Sequence, residues 1–315
     1  MGIERLPKGI SCIDTRYLQR ERLAAAYLVE SGGEAAFIDT GTTHALPLLL
    51  EALAQQGLST SQVKYVIPTH VHLDHAGGAG ALMQELPEAR LVCHPAGARH
   101  LIDPSKLIAG ATAVYGEDRF QALFGELTPV PAERVVEAPD GFSVTLGERE
   151  LICIDTPGHA RHHFCIFDFE SGGIFSGDTF GLSYREFDND QGPFILPTTT
   201  PVQFDPEAWH ETLDNLLSLR PKWFYLTHYG KIGEPDRLAA VLHQGIDDFV
   251  DIAIAAQQSE DRTAEIHRGL TTWLEKRLEA HGCDMSPEQI ETLLGMDLEL
   301  NAQGLEIWLK RQAKA

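Results

Sequence analysis

Three histidines and one aspartate fall within six residues of the segment Thr69-His70-Val71-His72-Leu73-Asp74-His75-Ala76-Gly77-Gly78. The segment follows a short apolar run and precedes a stretch of helical periodicity. Imidazole and carboxylate groups are ligands that suit Zn, Fe or Mn. In a tight loop after a strand, His70 and His72 point one way and Asp74 and His75 another, so one loop is able to serve two neighbouring metal ions. This segment therefore predicts a metal site at the end of a strand.

Short apolar runs alternate with helical patterns from the start of the chain to about residue 230. The runs are rich in β-branched and aromatic residues and are bounded by Gly, Pro, Asp and Thr, which is typical of strands in a layered αβ protein. The predicted strands are Ala24–Val29, Ala35–Ile38, Lys64–Ile67, Ala89–Cys93, Leu151–Ile154, His163–Phe167, Gly173–Phe175 and Trp223–Leu226. From about residue 231 only helical patterns follow, and Ser286-Pro287-Glu288-Gln289 carries the signals of a helix N-terminus. The sequence predicts a domain over residues 1–230 and a helical extension over residues 231–315.

Further ligand-type side chains follow other predicted strands. His159, Asp178 and His228 each stand just after the carboxyl end of an apolar run, and Asp39 does the same in Phe37-Ile38-Asp39-Thr40-Gly41. Ligands of layered αβ proteins collect at that edge. A single His or Asp after a strand is usually a surface or turn residue, but together with the histidine-rich segment these residues indicate one shared site.

In this pattern the chain resembles the metallo-β-lactamase superfamily. The resemblance rests on His70-x-His72-x-Asp74-His75, His159, Asp178 and His228, in the right order, and it covers about residues 10–230. It implies an αβ/βα sandwich of class α/β, with the metal site in a shallow groove along one edge of two sheets.

The resemblance also implies a role for each residue. His70, His72 and His159 would bind a first metal ion, whereas Asp74, His75 and His228 would bind a second. Asp178 would bridge both ions, and Asp39 would orient the ligands from behind. His163, four residues after His159, is expected in a structural or supporting role.

This ligand set implies a binuclear hydrolase with two divalent ions, zinc by preference and Fe or Mn as alternatives. A metal-bridging hydroxide would attack a small ester, thioester or lactone, with Asp74 and Asp178 as catalytic carboxylates. Asp178 stands where class B β-lactamases have Cys, which disfavours antibiotic hydrolysis. The set is that of glyoxalase II, but the Cys-Gly-Lys/Arg element of that family is absent after Asp178. Alternatives are a mononuclear-iron persulfide dioxygenase, a diiron oxygen-reactive protein, a phosphodiesterase and, less favoured, a ligand-binding regulator.

The amino-acid composition limits the kinds of partner that the protein is expected to bind. Lys and Arg total 25 and Asp and Glu total 46, giving a formal charge of −21 without any basic run, which disfavours nucleic acid and membrane surfaces. No apolar stretch approaches the ~20 residues that span a bilayer. Five widely spaced cysteines and the lack of an apolar leader predict a cytoplasmic protein with reduced thiols. The expected partner is a small-molecule substrate, and a homodimer is possible.

The sequence indicates substrate-binding residues less clearly than it indicates metal ligands. Tyr184, Arg185 and Tyr229 adjoin ligand motifs, so their hydroxyl and guanidinium groups are candidate donors to substrate oxygens, with packing on a strand end as the alternative for the tyrosines. Other histidines, including His210 and His243, carry no ligand motif and are interpreted as ordinary surface or core residues.

Overall fold

The computed structural model describes residues 2–199 and 202–314, and their contacts divide the chain into two compact units. The sheet unit contains the described residues of Met1–Thr156, His162–Gly177 and Pro221–Gly233. The helical unit contains those of Pro157–Arg161, Asp178–Arg220 and Glu234–Ala315. The helical unit thus takes segments from both sides of residue 230, and the boundary predicted between residues 230 and 231 stays a prediction.

The first half of the sheet unit folds into a seven-stranded sheet whose strands follow one another in chain order. The first four strands are antiparallel to their neighbours, and the pairs from the fourth strand onward are parallel. The strands are β1 (Ile3–Leu6), β2 (Ile10–Asp14), β3 (Ala25–Ser31), β4 (Glu34–Ile38), β5 (Val63–Ile67), β6 (Arg90–Cys93) and β7 (Val135–Glu137).

Helices connect the parallel strands of this sheet, as parallel pairing requires. They are α1 (Leu46–Gln55), α2 (Leu73–Ala76), α3 (Ala79–Glu85), α4 (Pro95–Ile102), α5 (Ser105–Tyr115) and α6 (Glu117–Phe124). Leu49 and Leu53 of α1 and Leu82 of α3 are buried in one apolar core with Phe37 of β4 and Val66 of β5. Burial of this apolar surface is the main favourable term that holds the helices on the sheet.

The second sheet has six strands in the order β13-β12-β11-β10-β9-β8. The strands are β8 (Ser143–Leu146), β9 (Arg149–Asp155), β10 (Phe164–Asp168), β11 (Gly173–Gly177), β12 (Trp223–Leu226) and β13 (Gly230–Ile232). Its inner face packs on the first sheet, because the Tyr27 ring of β3 lies 5.2 Å from that of Phe175 and 5.8 Å from that of Tyr225. The predicted layered αβ sandwich is confirmed within this unit.

A fully buried ion pair joins two strands of the second sheet. The Arg149 guanidinium of β9 donates to both carboxylate oxygens of Asp168 at the end of β10, and both side chains are 0% exposed. The same guanidinium donates to the Lys8 carbonyl, 2.6 Å away. A buried charge is tolerated only with such partners.

The helical unit contains α7 (Pro206–Ser218), α8 (Pro235–Ala255), α9 (Arg262–Ala280) and α10 (Pro287–Gln312). The helix N-terminus predicted at Ser286 is confirmed, because Ser286 and Gln289 form a reciprocal capping box. Apolar stripes of α8 and α9 are buried, as at Leu242, Phe249 and Leu270. Among the described residues, no helix combines the length and apolar character that crossing a membrane requires.

Sequence patterns found eight of the strands in the described residues, including the four-residue strands β6 and β12. The strand predicted over Trp223–Leu226 has those bounds, and the one predicted to end at Ile67 ends there. Strands β1, β2, β7, β8 and β13 were not predicted. β7 and β13 are three residues long, which is too short for periodicity to stand out. β2 was missed although all five of its residues are buried.

Candidate metal centre

The histidine-rich segment changes backbone conformation halfway along. It leaves β5 at Ile67, and His72 still has extended backbone (φ −62°, ψ 148°) as the residue preceding α2. Asp74 and His75 then lie in the first turn of α2. His72 therefore projects from extended backbone, whereas Asp74 and His75 project from a helix. The division of the loop into two pairs of ligands stays a prediction.

His70 and His72 meet through ring nitrogens. The distance between His70 Nε2 and His72 Nδ1 is 2.7 Å. Thr69 Oγ1 lies 3.2 Å from His70 Nδ1 on the other edge of the ring. This contact sets Nε2 of His70 and Nδ1 of His72 side by side, as two nitrogen ligands of one ion would be.

The Asp39 carboxylate accepts several hydrogen bonds next to the histidine-rich segment, and its side chain is 1% exposed. Its carboxylate accepts hydrogen bonds from the Thr69 backbone N–H (2.7 Å), the Thr69 hydroxyl (3.0 Å) and the Thr227 hydroxyl (2.7 Å). His75 Nδ1 lies 2.9 Å from Asp39 Oδ2 and donates to it. One carboxylate thus joins the ends of β4, β5 and β12 and fixes the His75 ring.

Asp74, His75 and His228 lie together in the sheet unit, with ligand atoms within 4.8 Å of one another. Asp74 Oδ2 is 3.3 Å from His228 Nε2 and 3.8 Å from His75 Nε2. The His228 ring is oriented by its other nitrogen, since Nδ1 donates to the Leu23 carbonyl, 2.7 Å away. The structure therefore brings the three residues predicted for the second metal into one cluster.

The buried His163 ring contacts residues that follow two strands of the sheet unit. Its Nδ1 lies 2.8 Å from the Thr156 hydroxyl, and its ring centroid is 4.9 Å from that of His70. Gly177 (φ +48°) ends β11 beside it, and a Cβ there would stand 2.5 Å from His163 Nε2 and 2.6 Å from Thr69 Oγ1. Glycine is needed at this position because no side chain fits between these groups.

His159 and Asp178 meet in the helical unit. His159 Nε2 lies 3.3 Å from Asp178 Oδ2, and the two side chains are 0% and 5% exposed. His159 Nδ1 donates to the Thr198 carbonyl, 2.7 Å away. The ring also contacts Trp209 of α7, whose indole N–H donates to the Thr179 carbonyl.

The last helix holds the loop that orients His159, a connection that sequence reasoning missed. The side-chain oxygen of buried Asn301 of α10 accepts from the Thr199 backbone N–H at 2.6 Å, and the Asn301 carbonyl accepts from the Thr199 hydroxyl at 3.1 Å. Gly304, one turn further along, faces the same loop, since a Cβ there would stand 1.7 Å from the Thr199 carbonyl oxygen. An asparagine and a glycine on one helix face are the only sequence signals of this contact, and neither is specific.

The donor chemistry of these residues fits divalent metal ions. In His75, His159 and His228, Nδ1 donates to a carboxylate or carbonyl oxygen, which can only accept. The tautomer that results has a lone pair on Nε2, the arrangement usual for histidines that bind metals. Carboxylate oxygens of Asp74 and Asp178 adjoin these Nε2 atoms, so each unit presents a nitrogen–oxygen set suited to zinc, iron or manganese.

The three candidate substrate contacts have protein partners in the structure. The Tyr184 hydroxyl donates to the Asp297 carboxylate (3.1 Å), and the tyrosine is 2% exposed. Arg185 donates to the Ser183 carbonyl and pairs with Asp188 at 3.3 Å. Tyr229 is 7% exposed, and burial raises the pKa of its hydroxyl. Their roles toward substrate stay predictions.

An apolar cluster adjoins the histidine-rich segment inside the sheet unit. Leu73, between His72 and Asp74, packs with Phe120 and Phe124 of α6. Partly buried apolar side chains of α5 and its surroundings complete the cluster; they are Tyr17, Leu107, Ile108, Ala111, Tyr115, Leu123 and Leu127. Apolar surface thus lies next to the predicted ligands.

Comparison with known proteins agrees with this architecture. Residues 20–228 match the model of the family described as Metallo-beta-lactamase superfamily. The metallo-beta-lactamase fold-containing protein ST1585 of Sulfurisphaera tokodaii is 25% identical over 273 residues, which cover 84% of this chain and 96% of that protein. A crystal structure of ST1585 from Sulfolobus tokodaii superposes with a TM-score of 0.68 at 22% identity, covering 95% of this chain and 99% of that one.

Two enzymes are similar over shorter regions. Acyl-coenzyme A thioesterase MBLAC2 of Gallus gallus is 29% identical over 189 residues, which cover 55% of this chain and 63% of that protein. A hydroxyacylglutathione hydrolase of Methylobacillus flagellatus is 27% identical over 230 residues, which cover 70% of this chain and 74% of that protein. Because the family model matches residues 20–228, more than half of the sequence, this chain belongs to the metallo-beta-lactamase superfamily and is a hydrolase of that superfamily.

Proposed function

We propose that the protein is a binuclear metal-dependent hydrolase of a small thioester, ester or lactone. The observation that supports it most directly is the shared orientation of three predicted ligand histidines. In each of them Nδ1 is engaged by a protein oxygen, and Nε2 is left as the metal-binding nitrogen. A structural histidine needs no such common orientation.

The assignment of ligands follows the order of the family motifs. We assign His70, His72 and His159 to one ion, Asp74, His75 and His228 to the other, and Asp178 to a bridge between the two. Zinc is the metal we expect first, since imidazole and carboxylate suit it, with iron or manganese as alternatives.

Two bound divalent ions would supply a hydroxide nucleophile near neutral pH and stabilise the oxyanion of the transition state. The chain's own groups position the reaction. The Asp74 carboxylate is 22% exposed, so one oxygen can accept a hydrogen bond from the attacking water while the other stays with the histidines. Asp39 and the Leu23 carbonyl hold the His75 and His228 rings, and such fixed orientation lowers the cost of reaching the transition state.

Among substrates, we place thioesters first. The two enzyme relatives reported above are named for thioester substrates, acyl-coenzyme A in one and hydroxyacylglutathione in the other. The apolar cluster of Leu73, Phe120 and Phe124 beside the loop favours an acyl group with an apolar chain. We further propose a small-molecule partner rather than nucleic acid or membrane, a cytoplasmic location, and self-association as a possible homodimer.

Metal analysis and an activity panel test this proposal. The purified protein should contain about two divalent ions per chain and hydrolyse acyl-coenzyme A, S-acylglutathione, aryl ester or lactone substrates faster than a phosphodiester. Asp178→Ala should lower kcat by about 10²-fold or more, because a bridging carboxylate is lost. Asp251→Ala, at an exposed position of α8, is the matched control and should leave kcat unchanged.

Two outcomes would contradict the proposal. One is a single iron per chain with oxygen consumption on glutathione persulfide. The other is full metal loading with no activity on the whole panel, which would favour a ligand-binding regulator.

A further inference from the structure

Two histidines and two aspartates form a second cluster on helices of the helical unit. His210 and Asp214 are one turn apart on α7, and His243 and Asp247 are one turn apart on α8. None of them belongs to the predicted ligand set. All four side chains are partly or largely exposed, at 29% for His210, 27% for His243, 75% for Asp214 and 65% for Asp247.

The four side chains form a continuous chain of polar contacts. The two imidazole rings are parallel within 2°, with centroids 4.9 Å apart, and the distance between their Nδ1 atoms is 2.6 Å. On the outer edge of each ring stands a carboxylate of the other helix. His210 Nε2 lies 3.1 Å from Asp247 Oδ1, and His243 Nε2 lies 3.3 Å from Asp214 Oδ1.

These contacts determine where the ring protons lie. An ionised carboxylate only accepts hydrogen bonds, so each Nε2 carries a proton and donates it. In the neutral ring the other nitrogen, Nδ1, then has a lone pair. Two lone pairs that face each other at 2.6 Å repel, and a positive centre between them removes the repulsion.

We propose that His210 and His243 bind a divalent transition metal ion, such as Zn²⁺ or Ni²⁺, through their Nδ1 atoms, with Asp247 and Asp214 as the supporting carboxylates. A carboxylate on the far nitrogen of a metal-binding imidazole raises its basicity and fixes its tautomer. Water would complete the coordination. Ligand bonds of about 2.0–2.1 Å need the two nitrogens to move apart by less than about 1 Å, which partly exposed side chains allow.

The metal-binding loop of the family contains the same kind of contact. His70 Nε2 and His72 Nδ1 lie 2.7 Å apart, close to the separation of the two outer Nδ1 atoms. At the outer site the ion would join α7 to α8. Because Trp209, next to His210 on α7, contacts the His159 ring, the ion would also stabilise the helix that carries this contact. The inference does not depend on the proposed hydrolase activity.

Titration of the metal-loaded protein with Ni²⁺ or Zn²⁺ tests the site. With the catalytic sites filled beforehand, calorimetry should detect one further equivalent per chain in the wild type. His210→Gln and His243→Gln should each weaken that binding at least tenfold, and the added ion should raise the thermal midpoint of the wild type but not of these two variants. His267→Gln on α9 is the matched control and should bind like the wild type. Circular dichroism of each variant checks that it is folded.

Asp214→Asn and Asp247→Asn provide a second test that leaves both imidazoles in place. They should lower the affinity for the additional metal ion by a smaller factor than the histidine variants do, as expected of supporting carboxylates. Equal stoichiometry and affinity in the wild type and both histidine variants would overturn the proposal, and a shared proton would then be what joins the rings.

Discussion

At the scale of single residues, one carboxylate organises the candidate site. Asp39 accepts hydrogen bonds from Thr69 and Thr227, which follow two different strands, and from His75 in α2. Its backbone is in the left-handed region (φ +56°), which Asp tolerates better than most residues. The sequence predicted a supporting role for Asp39, but it did not predict which groups Asp39 would hold.

Asp39→Asn tests that role. An amide cannot accept from all four donors, because one of its two polar atoms is itself a donor. We expect a 10- to 100-fold loss of metal affinity or of kcat, measured by metal competition with a chelator and by steady-state kinetics. Asp155→Asn, which removes a carboxylate paired with His94, should not reproduce the loss. Wild-type metal affinity in Asp39→Asn would contradict the assignment.

At the scale of secondary structure elements, α10 acts on the site through a loop. Asn301 holds Thr199, and the carbonyl of the adjacent Thr198 orients His159. The sequence predicted a helix beginning at Ser286 from its capping residues, yet it left open whether the helical extension would complete the site or form a dimer interface. Through Asn301, α10 holds the loop of Thr198 and Thr199, and this loop orients the predicted ligand His159.

Asn301→Ala should therefore affect a metal ligand that Asn301 does not touch. We expect roughly tenfold weaker metal binding or lower kcat, since the His159 ring loses its fixed orientation. Gln303→Ala, two residues along the same helix, is the control and should behave like the wild type. If Asn301→Ala lowers the free energy of unfolding but leaves metal affinity and kcat unchanged, Asn301 is structural only.

At the scale of the whole molecule, burial suppresses ionisation of the thiols. Four cysteines are buried and one is partly exposed. The buried ones are Cys12, Cys93, Cys153 and Cys165, and the partly exposed one is Cys283. Burial raises the pKa of Cys12, Cys93 and Cys153 from 9.0 to about 12, and nearby acidic groups add to the effect at Cys12 and Cys93. The pKa of the buried Tyr27 hydroxyl is also well above its usual 10.0. These groups stay neutral in the folded state and ionise earlier in the unfolded one.

The protein should consequently lose stability at alkaline pH. The contribution of the three thiols is fully present below pH 9, where they are protonated in both states, and it is lost as the pH rises from about 9 to 12. Urea unfolding at pH 8 and pH 10.5 measures the difference, with a lower free energy of unfolding expected at pH 10.5. Cys93→Ala removes one such group and should show a smaller decrease. A pH-independent free energy across this range would contradict the prediction.

The layered αβ class and a candidate ligand set were accessible from the sequence because both depend on local signals. Apolar runs mark strands, and a ligand-type side chain directly after each run is placed by the strand itself. Hence His70, His72, Asp74 and His75 pointed to metal chemistry without a structure, and their roles as ligands stay predictions. The formal charge of −21 is likewise a sequence property, and it weighs against a nucleic-acid substrate without locating any site.

Contacts between distant segments were decided by the tertiary structure alone. The Thr227 hydroxyl reaches Asp39 across 188 residues, Thr199 reaches Asn301 across 102, and His210 meets His243 across 33. No local pattern predicts such pairs, because they depend on how helices and strands pack, and each residue alone has an ordinary interpretation. The sequence by itself determined which side chains could bind metal, and packing decided which groups hold them in place and which other histidines meet.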